Sequence, residues 1–146
     1  YFGSVPQSAL RDHLENEAHI LAYPSIWPET SCRVLMESMS AGLWCVHPNL
    51  AALADTSGGL TSQYQFTIDE DEHKKIFAEY LLHAINVVKD PPAQGYLKFV
   101  KSYADTRFDL PRIASQWTHT LETLLKKYPT IESRKHAGPM FIYKAR

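Results

Sequence analysis

The sequence predicts an α/β protein: a partial doubly wound parallel sheet of Rossmann-like type, followed by helices. Three observations carry this. "HILAYPS" and "LWCVHP" are short, nearly continuous apolar runs that end at proline, the pattern of strands covered on both faces. Segments with helical spacing separate them. After about residue 69, apolar residues recur at helical spacing through three successive segments.

The elements follow in chain order. Residues 1–5, "YFGSV", read as a short strand. Pro6 then sits at a helix start, where its missing N–H costs nothing. "PQSALRDHLENE" is a polar surface helix with Leu10 and Leu14 four apart. "HILAYPS" is a buried strand, and "SCRVLMESMSAG" a helix that Ser31 can cap and Gly42 can end. "LWCVHP" is the next buried strand. "NLAALADTSGGLTSQYQFTI" gives a short helical turn, a glycine loop and an edge strand. Thr67 or Asp69 opens the helix "DEHKKIFAEYLLHAINVV", and Pro91-Pro92 ends it and starts another. A last helix, "FDLPRIASQWTHTLETLLKK", carries Ile113, Trp117, Leu121, Leu124 and Leu125 on one stripe. The segment after Pro129 has no period and reads as a peripheral tail.

Composition narrows the function classes. The chain of 146 residues is 45% hydrophobic and 12% aromatic, a globular composition. A net charge of -1 gives no basic excess for nucleic acid or an anionic membrane. No apolar run approaches the ~18–20 residues of a transmembrane helix. Cys32 and Cys45 have neither disulfide-framework nor metal spacing, and no asparagine opens an N-x-[ST] sequon. Both facts favour a reducing, cytoplasmic setting. A start at Tyr1, inside a strand-like run, reads as a fragment or processed product with part of the sheet missing.

The candidate site lies where the first buried strand meets its helix. Ligands of open parallel sheets bind outside the carboxyl ends of the strands. Residues 24–31 form a loop at such an end. The helix from about residue 31 would point free N–H groups and a positive dipole end into the same crevice, which suits a phosphate or diphosphate. Glu29 would repel a phosphate, but an ionised carboxylate accepts hydrogen bonds from sugar hydroxyls. Glu37, with seven residues between, stands inside the helix, where a carboxylate is costly to bury unless it accepts hydrogen bonds. A ribose would supply them. Sugar, diphosphate and ribose in one line describe a nucleotide sugar. The plain alternative is that Glu29 is a first-turn helix charge and Glu37 a solvated helix residue.

"YPSIWPETSCRVLMESMSAGLWCV" resembles the glutamate-x7-glutamate segment of family 4 retaining glycosyltransferases of the two-Rossmann (GT-B) type. "GSVPQSALRDHL" is similar to the strand and helix before it, "HPNLAALADTSGGLTSQYQF" to the segment after it, and "FDLPRIASQWTHTLETLL" to the C-terminal helix. The similarity spans roughly residues 1–128, a C-terminal nucleotide-sugar-binding domain, with 129–146 as the tail. "ETSC" stands where the commoner pattern is E-G-F-G, a variant similar to a branch found near surface-polysaccharide genes.

The resemblance implies a donor site. Glu29 would touch the donor sugar and is the candidate catalytic residue. The backbone N–H groups of Thr30, Ser31 and Cys32 would face the sugar or diphosphate. Glu37 would hold the ribose. Arg33 could reach a phosphate or be a solvated helix residue. The donor would be UDP- or GDP-linked, with no metal and no cofactor required. The acceptor would be a glycan or lipid-linked sugar, at the cytoplasm or the inner membrane face. Transfer would proceed by departure of the nucleoside diphosphate, stabilised at the helix start. The family's basic pair and its acceptor-binding N-terminal domain would precede residue 1, so these residues alone would bind donor and transfer poorly. An epimerase or phosphorylase, and a non-catalytic interaction module, are the rivals on the same fold.

Other signals carry less. "DED" at 69–71 matches an Asp-x-Asp metal motif, but acidic residues also favour a helix start. His47 follows a strand on the crevice side and reads first as structural. Ser25 lacks a G-x-S-x-G turn, Gly58-Gly59 is too short for a dinucleotide fingerprint, and Asp55 is left unassigned.

Overall fold

The computed structural model describes residues 3–129. The chain divides into a unit Tyr1–Phe108 and a unit Asp109–Arg146.

The first unit is built on a three-stranded parallel sheet in the order β1-β2-β3. The strands are β1 (Ile20–Ala22), β2 (Trp44–Asn49) and β3 (Ser62–Gln65), with Ile20 opposite Trp44 and Val46 opposite Ser62. Around it lie α1 (Gln7–Asn16), α2 (Arg33–Ala41), α3 (Ala52–Ser57), α4 (Glu70–Val87) and α5 (Pro91–Arg107).

Side-chain alternation along parallel strands gives the sheet two buried faces. On one, Leu21 and Cys45 meet Leu35 and Met39 of α2, Leu53 of α3, and Val100 and Ala104 of α5. On the other, Ile20, Trp44, Val46 and Tyr64 meet Ile76, Phe77 and Ala84 of α4. Helices therefore cover both faces, as the unbroken apolar strands predict. The strand order runs without a reversal, so the described sheet contains no topological switch point.

Four local expectations are revised. Tyr1 and Phe2 lie outside the described residues, and residues 3–5 form no strand, because Gly3 turns the chain at a φ of 69°. β1 is three residues long and only partly buried, because it pairs with β2 alone. β2 continues through Pro48 to Asn49 rather than ending at the proline. Val46 accepts from Tyr23 N–H at 2.9 Å, and Pro48, two residues on, faces the same side after β1 has ended. The missing N–H of Pro48 thus costs no ladder bond. Finally, α2 begins one residue later than expected: Cys32 is the N-cap, extended at φ -109°, and Ser31 makes no cap. Burial of the Cys32 side chain in the core, at 1% exposure, fixes that boundary.

The remaining elements match the sequence pattern. Gly42 ends α2 in the left-handed conformation. Asp69 caps α4 by accepting from Glu72 N–H at 2.8 Å. Pro91 opens α5, which runs to Arg107.

The second unit begins with α6 (Leu110–Lys127), capped by Asp109 through Arg112 N–H at 2.9 Å. Of the predicted stripe, Ile113 and Leu124 are half-buried, while Trp117, Leu121 and Leu125 are exposed. The tail from residue 130 lies outside the described residues.

Candidate functional site

The loop from Tyr23 to Cys32 leaves β1 at its carboxyl end and enters α2. It is tied down at three places. Tyr23 N–H donates to Val46 O at 2.9 Å, Trp27 N–H to Ser25 Oγ at 3.2 Å, and Ala52 N–H to Glu29 O at 3.1 Å. The last contact joins the loop to the start of α3, beyond the carboxyl end of β2. Next to it, Ala51 holds a positive φ of 48°. A β-carbon in that region costs on the order of 1–3 kcal/mol, and such residues cluster where a site fixes the backbone.

Glu29 is half-buried and accepts a short hydrogen bond from the Tyr23 hydroxyl on Oε1. That bond, together with burial, pushes the Tyr23 phenol up to about 12. Cys32 lies beside the same pair. Burial pushes its thiol up and the Glu29 carboxylate adds to this, while the Leu35 amide opposes it. Tyr23, Glu29 and Cys32 thus form one cluster at the mouth of α2, with the Tyr23 ring packed on the core.

Glu37 belongs to a second cluster. Its Oε1 accepts from Arg33 Nη2 at 3.2 Å and from Gln7 Nε2 of α1 at 3.1 Å. The Glu37 side chain is 33% exposed and that of Arg33 is 74% exposed. At about 100° per residue, Glu37 falls roughly 160° around α2 from buried Leu35. Glu37 therefore stands on the outward side of the helix, not among the apolar residues that flank it in sequence. Glu29 lies in the loop before α2 and Glu37 in the middle of that helix, and their side-chain hydrogen bonds go to different partners.

Thr30 and Ser31 are exposed. The first intrahelical bond of α2 is Met36 N–H to Cys32 O at 3.2 Å. Of the first-turn amides, that of fully buried Leu35 faces the Cys32 thiol, which leaves those of Arg33 and Val34 without an intrahelical acceptor. They follow in sequence the Thr30–Cys32 amides that the sequence suggests.

Two further residues of the same loop were not singled out from the sequence. Tyr23 precedes the proline of the loop and orients Glu29. Trp27 is 74% exposed on the same loop. The available signal was an aromatic residue on either side of Pro24-Ser25.

Comparison with protein-family models, with curated proteins and with solved structures returns no match.

The other candidates settle into structural roles. His47 is fully buried in β2, with Nε2 at 2.6 Å from Thr61 Oγ1 and Nδ1 at 2.9 Å from Pro48 O. Burial lowers its pKa, although the Pro48 carbonyl opposes this, so the ring is held neutral. The "DED" residues build a helix start: Asp69 caps α4 and Glu70 pairs with Lys74 at 2.5 Å. Among the described residues, no cluster of His, Cys, Asp and Glu has the arrangement to hold a metal ion. Cys32 and Cys45 are free thiols in the core. A pocket of about 80 Å³ lies at the opposite, amino end of the sheet, between Leu43–Cys45, Leu60–Ser62 and α5. No helix among the described residues is long and apolar enough to cross a membrane.

Proposed function

We propose that the chain is the donor-binding part of a glycosyltransferase that moves a hexose from a UDP- or GDP-sugar to a glycan or lipid-linked acceptor. The acceptor side is contributed by a separate domain. The observation that carries the reading is the placement of Glu29: a carboxylate held by Tyr23 at the carboxyl end of β1, against the open N-terminus of α2. A sugar hydroxyl would donate to Glu29. The diphosphate would take the free amides of the first turn, where the helix dipole is positive. Arg33 would reach the diphosphate, and Glu37 the ribose, by exchanging their exposed mutual pair for ligand contacts. That exchange is inexpensive, since a solvated i,i+4 pair contributes only about 0.3–0.5 kcal/mol. Such chemistry belongs in the cytoplasm or at the inner membrane face, where nucleotide sugars are made and lipid-linked acceptors are presented.

A calorimetric screen of UDP, GDP, UDP-glucose and GDP-mannose against the full chain tests this reading. Binding of one nucleoside diphosphate, tightened by its sugar, is expected. Absence of binding at millimolar concentration for all four refutes it.

The second reading is a non-catalytic interaction module. Its support is α6, an 18-residue helix with no buried side chain and with Leu110, Trp117, Leu121 and Leu125 exposed. The same screen separates the two readings.

A further inference from the structure

We propose that Tyr23 is the positioning residue of the donor-sugar site: its hydroxyl fixes the Glu29 carboxylate in one orientation and so sets the preference for a sugar-bearing nucleotide over the bare diphosphate. This rests on the nucleotide-sugar reading above.

The geometry gives Tyr23 this role for three reasons. Its ring is packed against the core cluster that contains Cys32, Leu35 and Cys45, so the hydroxyl is a fixed point rather than a mobile donor. Its own backbone N–H is anchored on β2 through Val46 O. The hydroxyl donates to Oε1 of Glu29, whose backbone carbonyl is held in turn by Ala52 N–H. Glu29 is therefore fixed at both its main chain and its side chain.

An ionised carboxylate offers about four acceptor positions and no donor. Tyr23 takes one and the Cys32 thiol lies against the same carboxylate, so the remaining positions are held in one orientation. A carboxylate oriented in advance loses little side-chain entropy when a ligand hydroxyl arrives. The ligand group selected is then a neutral hydroxyl donor: a carboxylate-bearing sugar would meet like charge at Glu29. The raised phenol pKa is the signature of the bond, since an ionised Tyr23 would repel the carboxylate.

Two measurements on the full chain test the proposal, and they fail separately. In the first, tyrosine ionisation is followed by NMR of ring-labelled protein. Tyr23 should titrate near 12 in the wild type and closer to the ordinary value of 10.0 in Glu29→Gln. A Tyr23 resonance that titrates near 10.0 in both proteins refutes the coupling itself. In the second, affinities for UDP, GDP, UDP-glucose and GDP-mannose are compared for wild type and Tyr23→Phe. The variant should keep its affinity for the bare diphosphate and lose about tenfold of the preference for the sugar nucleotide, the effect of one hydrogen bond to a charged group. A Tyr23→Phe protein that keeps the full preference overturns the positioning role while leaving the nucleotide-sugar reading intact. A wild type that binds none of the four overturns that reading and the positioning role with it.

Discussion

Arg33 Nη2 donates to Glu37 Oε1 at 3.2 Å, one turn along α2, and both side chains reach solvent. The pair is a weak contributor to stability, because solvent screens it and two long side chains must be ordered to form it. Its exposure makes function separable from folding. Glu37→Ala should lower stability by only about 1 kcal/mol, since it loses the screened Arg33 pair and the exposed bond from Gln7 of α1. The same change should weaken nucleoside diphosphate binding by about tenfold or more, through loss of a charge-assisted ribose contact. Chemical denaturation and calorimetry on the same protein check the two halves.

Glu29→Ala should behave differently. It should leave affinity for the bare diphosphate unchanged and remove the gain from the sugar. Losing the partner of a half-buried phenol costs about 1–3 kcal/mol, so a modest fall in stability should accompany the change. Competition between the bare and sugar-linked nucleotides reads the difference.

Gly58 and Gly59 form a matched pair for testing the packing of α3 on α5. Both have positive φ, 59° and 74°. A Cβ at Gly58 would meet the Tyr103 hydroxyl oxygen at 2.3 Å, whereas one at Gly59 meets nothing within 4 Å. Gly59→Ala should therefore cost only the conformational term, about 1–2 kcal/mol. Gly58→Ala should cost more, because Tyr103 must also move. Thermal unfolding of the two variants gives the ranking.

Stability should fall on both sides of neutral pH. His47 is lowered below its ordinary 6.5 by burial. The unfolded chain therefore binds a proton that the folded chain refuses, and stability is lost as pH falls below about 6.5. On the alkaline side, the Glu29 contact raises Tyr23, and burial raises Tyr64 and Cys45, all to about 12. These groups keep their protons longer in the folded state. Their contribution is complete below their unfolded values, 9.0 for the thiol and 10.0 for the phenols, and is lost toward about 12. Denaturation midpoints from pH 5 to pH 11 should trace this profile, and Tyr64→Phe should reduce the slope of its alkaline limb.

Much of the architecture was legible in the sequence. The two apolar runs ending at Pro24 and Pro48 marked parallel strands covered on both faces, and Leu21 with Cys45 against Ile20 with Val46 is that covering. The edge strand expected after the glycine loop is β3, but the edge position of β1 was not legible: Ile20–Ala22 reads as a buried strand, and an apolar run carries no record of how many neighbours it will pair with. The start of α2 slipped by one residue because burial of Cys32 outweighed the capping preference of Ser31.

At the candidate site, the sequence pointed to the loop and both glutamates, and it expected Glu37 among apolar residues, whereas Glu37 stands on the outward side of α2. The signal was available, since Leu35 and Met39 mark the buried side of α2 and Glu37 falls opposite them. Tyr23 was missed for a different reason. Its hydrogen bond to Glu29 depends on the path of the intervening loop, which Ser25 and the backbone of Ala52 set.

The most direct test of the donor site is an amide NMR titration of the full chain with UDP-glucose and with GDP-mannose. Saturable shifts should concentrate on residues 29–37 and near Ala51, and in Glu37→Ala should need at least about tenfold more ligand to saturate. Saturable binding whose shifts map to the amino end of the sheet, around Trp44 and Ser62, would contradict the account, as would no shift at residues 29–37 with either compound.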